Sequence, residues 1–168
     1  MKAEALIRQL AAEGKTLATA ESCTGGLLGA LLTEVSGASQ VYLGGVVSYA
    51  YSVKESLLGV DSALLAEKGA VCEEVALQMA EGARRALGAD YALSVTGNAG
   101  PGTDGKNPRV GEIYVACADA ARSRCLRLQC NGNRQENRLT ACEAALSLLL
   151  EEGSISNVGV GAHDPVRP

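Results

Sequence analysis

Thr16-Leu17-Ala18-Thr19-Ala20-Glu21-Ser22-Cys23-Thr24-Gly25-Gly26 is the stretch on which the fold turns. Its opening residues, Thr16–Ala20, predict a short strand, and helical composition follows at once over Thr24–Val35. The same alternation spreads outward. Residues 2–13 read as an amphipathic helix and Leu43–Ala50 as a second strand. Tyr51–Leu58 and Ser62–Lys68 read as short helices. Glu73–Leu87 has apolar residues at 75, 76, 79, 80, 83 and 87, a helical period that Gly88 stops. Tyr91–Val95 is a third strand, ahead of a long loop rich in Gly, Pro and Asn at Gly97–Arg109. Glu112–Ala118 and Arg124–Cys130 form a hairpin through Asp119–Ser123. Asn133–Glu152 is the last helix, opened by a capping box of Asn133 and Glu136. Alternating strands and helices imply parallel strands covered on both faces, and the late hairpin adds one antiparallel strand. The expected fold is α/β: a three-layer α/β/α sandwich on a mixed, mostly parallel sheet of about five strands. One domain is expected over 1–152, with a C-terminal tail over 153–168.

Composition narrows the function. The chain of 168 residues contains no Phe or Trp, five Tyr and twenty Gly, and its net charge is −4. Single-stranded nucleic-acid binding needs aromatic platforms and a basic groove, so no nucleic-acid partner is expected. No apolar run reaches the ~18 residues of a membrane span. The N-terminus lacks a signal-peptide apolar core, which predicts a cytoplasmic protein with no membrane partner. Six Cys without a CxxC pair read as small buried hydrophobes, so neither disulfides nor a metal site is expected. The single His, His163, lies in the Gly-rich tail, which disfavours catalysis by a Ser-His or Cys-His pair. Proton transfer falls to Lys, Tyr or a carboxylate. Two glycine motifs are decoys. Gly14-Lys15-Thr16 lacks the first P-loop glycine and precedes a strand. Gly100-Pro101-Gly102-Thr103-Asp104-Gly105 follows a strand but opens no helix to receive a pyrophosphate.

Four segments could carry chemistry. Ser22, Cys23 and Thr24 stand at a strand-to-helix transition, where Gly25 and Gly26 allow close approach to backbone N–H groups. Any of the three is a possible nucleophile, and the N–H groups could hold a phosphate or an oxyanion. The alternative is a plain helix cap. In Ser48-Tyr49-Ala50-Tyr51-Ser52-Val53-Lys54, a lysine near a sheet edge can lose its proton through desolvation and act as a base. A tyrosine hydroxyl could then relay the proton. The alternative is a solvated helix lysine. Thr96-Gly97-Asn98-Ala99-Gly100 begins a loop long enough to be functional or a structural turn. Arg134 and Arg138 share a helix face near its N-terminus, either as an anion site or as surface ion pairs with Glu136 or Glu143.

Taken together, TAESCTGG, SYxxxxK, VTGNAGP, KNPRVGEIYVA and GNRxxxR occur in the order of one family. The chain resembles the CinA C-terminal domain family over roughly residues 3–151. The enzymatic members of that family are nicotinamide-nucleotide amidases. The resemblance implies an α/β/α sandwich that hydrolyses the carboxamide of nicotinamide mononucleotide to nicotinic acid mononucleotide and ammonia, without a cofactor. It implies Ser22 as nucleophile, Lys54 as base and Tyr49 as an assisting group. Contacts to the nucleotide would come from Thr24, Gly25 and Gly26, from Thr96, Gly97, Asn98 and Gly100, and from Arg138 as phosphate ligand, with Arg134 and Tyr51 beside them. A homodimer is expected for a small enzyme of this class. Many members carry Asn in place of Tyr51, Ile in place of Asn98 and GDR in place of Gly132-Asn133-Arg134. Two readings stand beside the amidase: a nucleotide-binding module of the same fold without hydrolysis, and a serine–lysine amidase for another small amide.

Overall fold

The computed structural model describes the backbone of residues 1–158 and the side chains of residues 1–151. The chain runs α1 (Lys2–Glu13), β1 (Leu17–Glu21), α2 (Leu27–Thr33), a short 3-10 turn (Ala38–Gln40), β2 (Tyr42–Val47), α3 (Tyr51–Leu58) and α4 (Ser62–Lys68). It continues through α5 (Glu73–Leu87), β3 (Tyr91–Gly97), β4 (Glu112–Ala118), β5 (Ser123–Gln129) and α6 (Arg134–Val158). The five strands form one mixed sheet in the order β2-β1-β3-β4-β5. β1 pairs in parallel with β2 and β3, while β4 runs antiparallel to β3 and β5. One strand of the five therefore opposes the others, as the hairpin reading expects.

Side-chain alternation divides the core into two layers. Leu17, Leu93, Val95, Ile113 and Val115 pack under α1, α2 and α6. On the opposite face Ala18, Ala20 and Ala92 meet α3, α4 and α5. The small alanines let α5 lie close to the sheet, and α3 crosses α5 at similarly short range. A Cβ on Gly82 would sit 2.0 Å from the Leu58 carbonyl oxygen, so only glycine fits that crossing.

The element boundaries differ most where the chain turns sharply. α2 begins at Leu27, not at Thr24, because Gly25 (φ 59°) and Gly26 (φ 106°) adopt the left-handed region and cannot continue a helix. β1 and β3 each run beyond the expected end, to Glu21 and Gly97: parallel pairing holds Glu21 against Val95 and Val47, and antiparallel pairing with β4 holds Thr96 and Gly97 against Tyr114 and Ile113. The capping box forms: the Glu136 N–H donates to Asn133 Oδ1 at 2.9 Å, and the Asn133 N–H donates to Glu136 Oε2 at 2.8 Å. Helical backbone continues beyond Glu152 to Val158. The rest of the expected tail, His163 included, lies outside the described residues.

Because β1 lies between β2 and β3, its C-terminal end is the point where the chain diverges to both sides of the sheet, the usual place for a ligand in an open α/β fold. Ser22 follows β1 there, Ser48 and Tyr49 follow β2, and Thr96 and Gly97 end β3.

Candidate active site

At that edge Lys54 is wholly buried (0% exposed) and donates hydrogen bonds to Ser22 Oγ at 2.7 Å, the Ser48 carbonyl at 2.6 Å and the Tyr49 carbonyl at 3.2 Å. α3 sets this geometry. Three residues separate it from β2, so a lysine one turn into the helix reaches back to the carbonyls of Ser48 and Tyr49 at the strand end. Burial, with no carboxylate bonded to the amine, lowers the lysine to about 8. A neutral amine has two hydrogens and one lone pair. The two carbonyls can take the hydrogens, which leaves the lone pair facing the serine hydroxyl.

The turn carrying Ser22 is fixed from two sides. The Ser22 N–H donates to the Val95 carbonyl, and the Gly25 N–H donates to the Ser22 carbonyl. Beneath it, the buried Glu21 carboxylate accepts from the N–H groups of Leu28 at 2.8 Å and Gly29 at 3.0 Å. The N-terminus of α2, expected to be open to an anionic ligand, is thus closed by the protein's own carboxylate. From the other side Arg138 donates through Nε to the Cys23 carbonyl at 3.0 Å and through Nη2 to the Thr24 carbonyl at 2.7 Å.

A cavity of about 290 Å³ opens over the pair, at the lower end of the small-molecule range. Of the residues expected in the site, Ser22, Lys54, Tyr49, Tyr51, Thr96, Gly97, Asn98 and Arg134 border it. Thr24, Gly25, Gly26, Gly100 and Arg138 do not. Thr24 Oγ1 is buried with no hydrogen-bond partner among the described residues. Arg138, expected on phosphate, is committed to the turn backbone instead. Arg134 takes the position at the cavity mouth, donating to the Gly100 carbonyl at 2.9 Å and to the Tyr49 hydroxyl at 3.3 Å. Tyr49 meets Lys54 through its carbonyl, not through the hydroxyl expected to relay a proton. Asn98 is part of the frame. Its amide donates to the carbonyls of Asn107 and Arg109 and accepts from the Asp104 N–H, which organises the loop from inside. The Thr96 hydroxyl is likewise engaged, by the Ala70 carbonyl.

Cys23 also borders the cavity, but burial pushes its thiol up to about 12 and Lys54 makes no hydrogen bond to it. Of the two side chains, the serine hydroxyl is the one Lys54 bonds.

Three contributors escape a reading of the sequence. Asp104 accepts from the Tyr51 hydroxyl at 2.7 Å and from the Ala70 N–H at 2.7 Å. Asn137, buried at the start of α6, donates to the carbonyls of Ala99 and Gly132. Glu112, also buried, is bonded by Asn107 and Arg127 and by Arg109 at 3.4 Å. Burial pushes the Glu112 carboxyl up, but those bonds outweigh it and hold the group below the usual carboxylate range. Only Asn137 leaves a trace, as a polar residue on the inward side of a helix. An Asp in a Gly-rich loop reads as a turn residue, and a Glu at a strand start reads as a solvated end.

Among the described residues no group of three or more His, Cys, Asp or Glu gathers as metal ligands, and no helix is long and apolar enough to cross a membrane.

Comparison with known proteins adds to this geometry. A family model described as the CinA C-terminal domain matches residues 1–152. A CinA-like protein of Geobacter sulfurreducens is 46% identical over 145 residues, and one of Synechococcus is 51% identical over 116 residues. Those matches cover 86% and 69% of this chain but 35% and 28% of the relatives, so the chain spans about a third of their length. Among solved structures, a competence-damaged protein (CinA) superfamily protein of Escherichia coli superposes with a TM-score of 0.87 at 30% identity, covering 90% of this chain and 88% of that one. A competence/damage inducible protein of Agrobacterium tumefaciens gives a TM-score of 0.82 at 36% identity, covering 90% and 95%. The family match runs from the first residue through the turn that carries Ser22, the helix that carries Lys54 and the cavity loop, and the chain belongs to the CinA C-terminal domain family.

Proposed function

We propose that the protein is a serine–lysine amidohydrolase acting on the carboxamide of nicotinamide mononucleotide. The single observation that carries this reading is the 2.7 Å contact between Ser22 Oγ and the buried Lys54 amine at the floor of the cavity. Ser22 Oγ attacks the amide carbon while its proton passes to Lys54. With the lysine lowered to about 8, about a tenth of it is neutral at pH 7, enough to act as base. The oxyanion requires donors. The N–H groups of Cys23 and Thr24 donate to no other backbone group among the described residues, and they follow the nucleophile in the chain. Lys54 then returns its proton to the departing nitrogen and ammonia leaves. Water then attacks the acyl-serine as Lys54 takes its proton, and Lys54 returns that proton to Ser22 Oγ as the ester bond breaks and the carboxylic acid leaves.

The test is direct. Purified protein incubated with nicotinamide mononucleotide is expected to release ammonia and the acid in equal amounts, and Ser22→Ala is expected to abolish both. Release from wild type no greater than from Ser22→Ala would remove the proposal.

Arg134, which pairs with no carboxylate among the described residues, is the phosphate ligand in this reading. Arg134→Ala should raise KM for the nucleotide about tenfold and leave the nucleoside lacking the 5′-phosphate nearly unchanged. Arg138→Ala should lower kcat for both, because Arg138 holds the turn and not the ligand. Steady-state kinetics on the two substrates separates the roles, and an equal loss on both from Arg134→Ala would contradict the assignment.

A further inference from the structure

One stretch of the cavity wall has a make-up that the hydrolytic steps do not use. Asp104 borders the cavity beside Tyr51, and its partners are all neutral donors: the Tyr51 hydroxyl and the N–H groups of Ala70, Lys106 and Gly105. Burial pushes this carboxyl up, but those donors together hold it below its ordinary value, so it is ionised at neutral pH. No Lys or Arg pairs with it among the described residues. Lys54 interacts with it through space, without a hydrogen bond, and burial opposes that lysine's own charge. A fixed negative charge therefore faces the cavity with no Lys or Arg hydrogen-bonded to it among the described residues.

Tyr51 adds to the same wall. A phenol that donates to a carboxylate gains electron density on its ring, and a more negative ring face attracts cations more strongly. Burial, then the adjacent Asp104, push the Tyr51 hydroxyl up to about 12, so it remains the donor in this pair. The cavity is thus bipolar, with a guanidinium at its mouth and a carboxylate-backed aromatic ring on its wall. The ligand that satisfies both ends carries an anion and a flat, delocalised cation.

We propose that Tyr51 and Asp104 are the specificity-determining pair that reads positive charge on the aromatic ring of the substrate. This rests on the amidase reading only in naming that ring, the pyridinium that bears the carboxamide.

Two ligands separate ring charge from ring shape: nicotinamide mononucleotide and its uncharged isostere, benzamide riboside 5′-phosphate. Their binding is measured by calorimetry on wild type, Asp104→Asn and Tyr51→Phe, with ammonia release followed in parallel. Wild type is expected to bind the charged nucleotide about tenfold more tightly than the neutral one. Asp104→Asn, which keeps an acceptor for the Ala70 N–H, should bring that ratio close to one. Tyr51→Phe keeps the ring and should retain part of the preference. A wild-type ratio near one overturns the proposal, as does an Asp104→Asn variant that weakens both ligands equally or leaves the ratio unchanged. The two readings fail separately. Ammonia release with an unmoved ratio removes the charge-reading wall and keeps the amidase. A ratio that collapses in Asp104→Asn without ammonia release keeps the wall and removes the amidase. Failure of wild type to bind either ligand overturns the wall.

Discussion

Lys54→Met is expected to lower kcat for amide hydrolysis about 10³-fold with little change in KM, the loss typical of removing a general base. Methionine matches the length and fills the buried site, so the fold survives while the lone pair facing Ser22 disappears. The pH dependence carries a sign that checks the same claim. The base works only when neutral, and burial lowers Lys54 to about 8. Activity should therefore rise with pH and level off above a midpoint near 8. A wild-type profile flat from pH 6 to 9, or a Lys54→Met variant with full kcat, would remove the role.

Stability provides a second reading of that proton. The folded value of about 8 lies below the ordinary 10.5. Across that window the unfolded chain still binds the proton that the folded chain has released. Stability contributed by this group therefore rises with pH between the two values, by about 3 kcal/mol in all. The difference in denaturant midpoint between wild type and Lys54→Met should move in favour of wild type over that range. A pH-independent difference would mean that the amine is not desolvated in the folded state.

The parts of the site legible in the sequence are those with a local cause. Three strand ends rich in Ser, Thr and Gly converge because parallel pairing brings C-terminal ends to one edge of a sheet, so Ser22, Tyr49 and Thr96 can be placed together from the pattern of elements. Lys54 is legible as one helical turn beyond such an end. What does not show is which atom of a residue does the work. Tyr49 contributes its carbonyl to Lys54, because the side chain leaves the strand end toward Arg134. Arg134 and Arg138 share a helix face by spacing, yet one turn of α6 separates the cavity mouth from the back of the turn that carries Ser22. Asn98 looks like a ligand contact and is instead the internal strut of its loop, and Asp104 becomes visible only when that strut folds the loop onto Tyr51. These assignments depend on contacts across dozens of residues, which neither period nor propensity encodes.

Glu21→Ala is expected to cause the largest loss of stability of any single substitution around the site, about 3 kcal/mol, or about 10 °C in the thermal midpoint. Glu21 looks in the sequence like a polar strand end. In the fold it is buried, and both oxygens close the N-terminus of α2 at Leu28 and Gly29. Alanine leaves two N–H groups without that acceptor, the buried one of Leu28 and the part-buried one of Gly29, at the positive end of a helix dipole. Glu21→Gln should recover part of the loss, since one carbonyl oxygen can still accept while the amide NH₂ opposes the second donor. Function should fall with the fold. Ser22 is the next residue, and its turn is clamped between this carboxylate and Arg138, so loosening one jaw displaces the nucleophile from Lys54. kcat measured well below the melting transition should therefore drop in Glu21→Ala even where circular dichroism shows a folded protein. A variant melting within about 2 °C of wild type would show that the helix end finds other acceptors. The carboxylate would then have to be explained by something other than the end of α2.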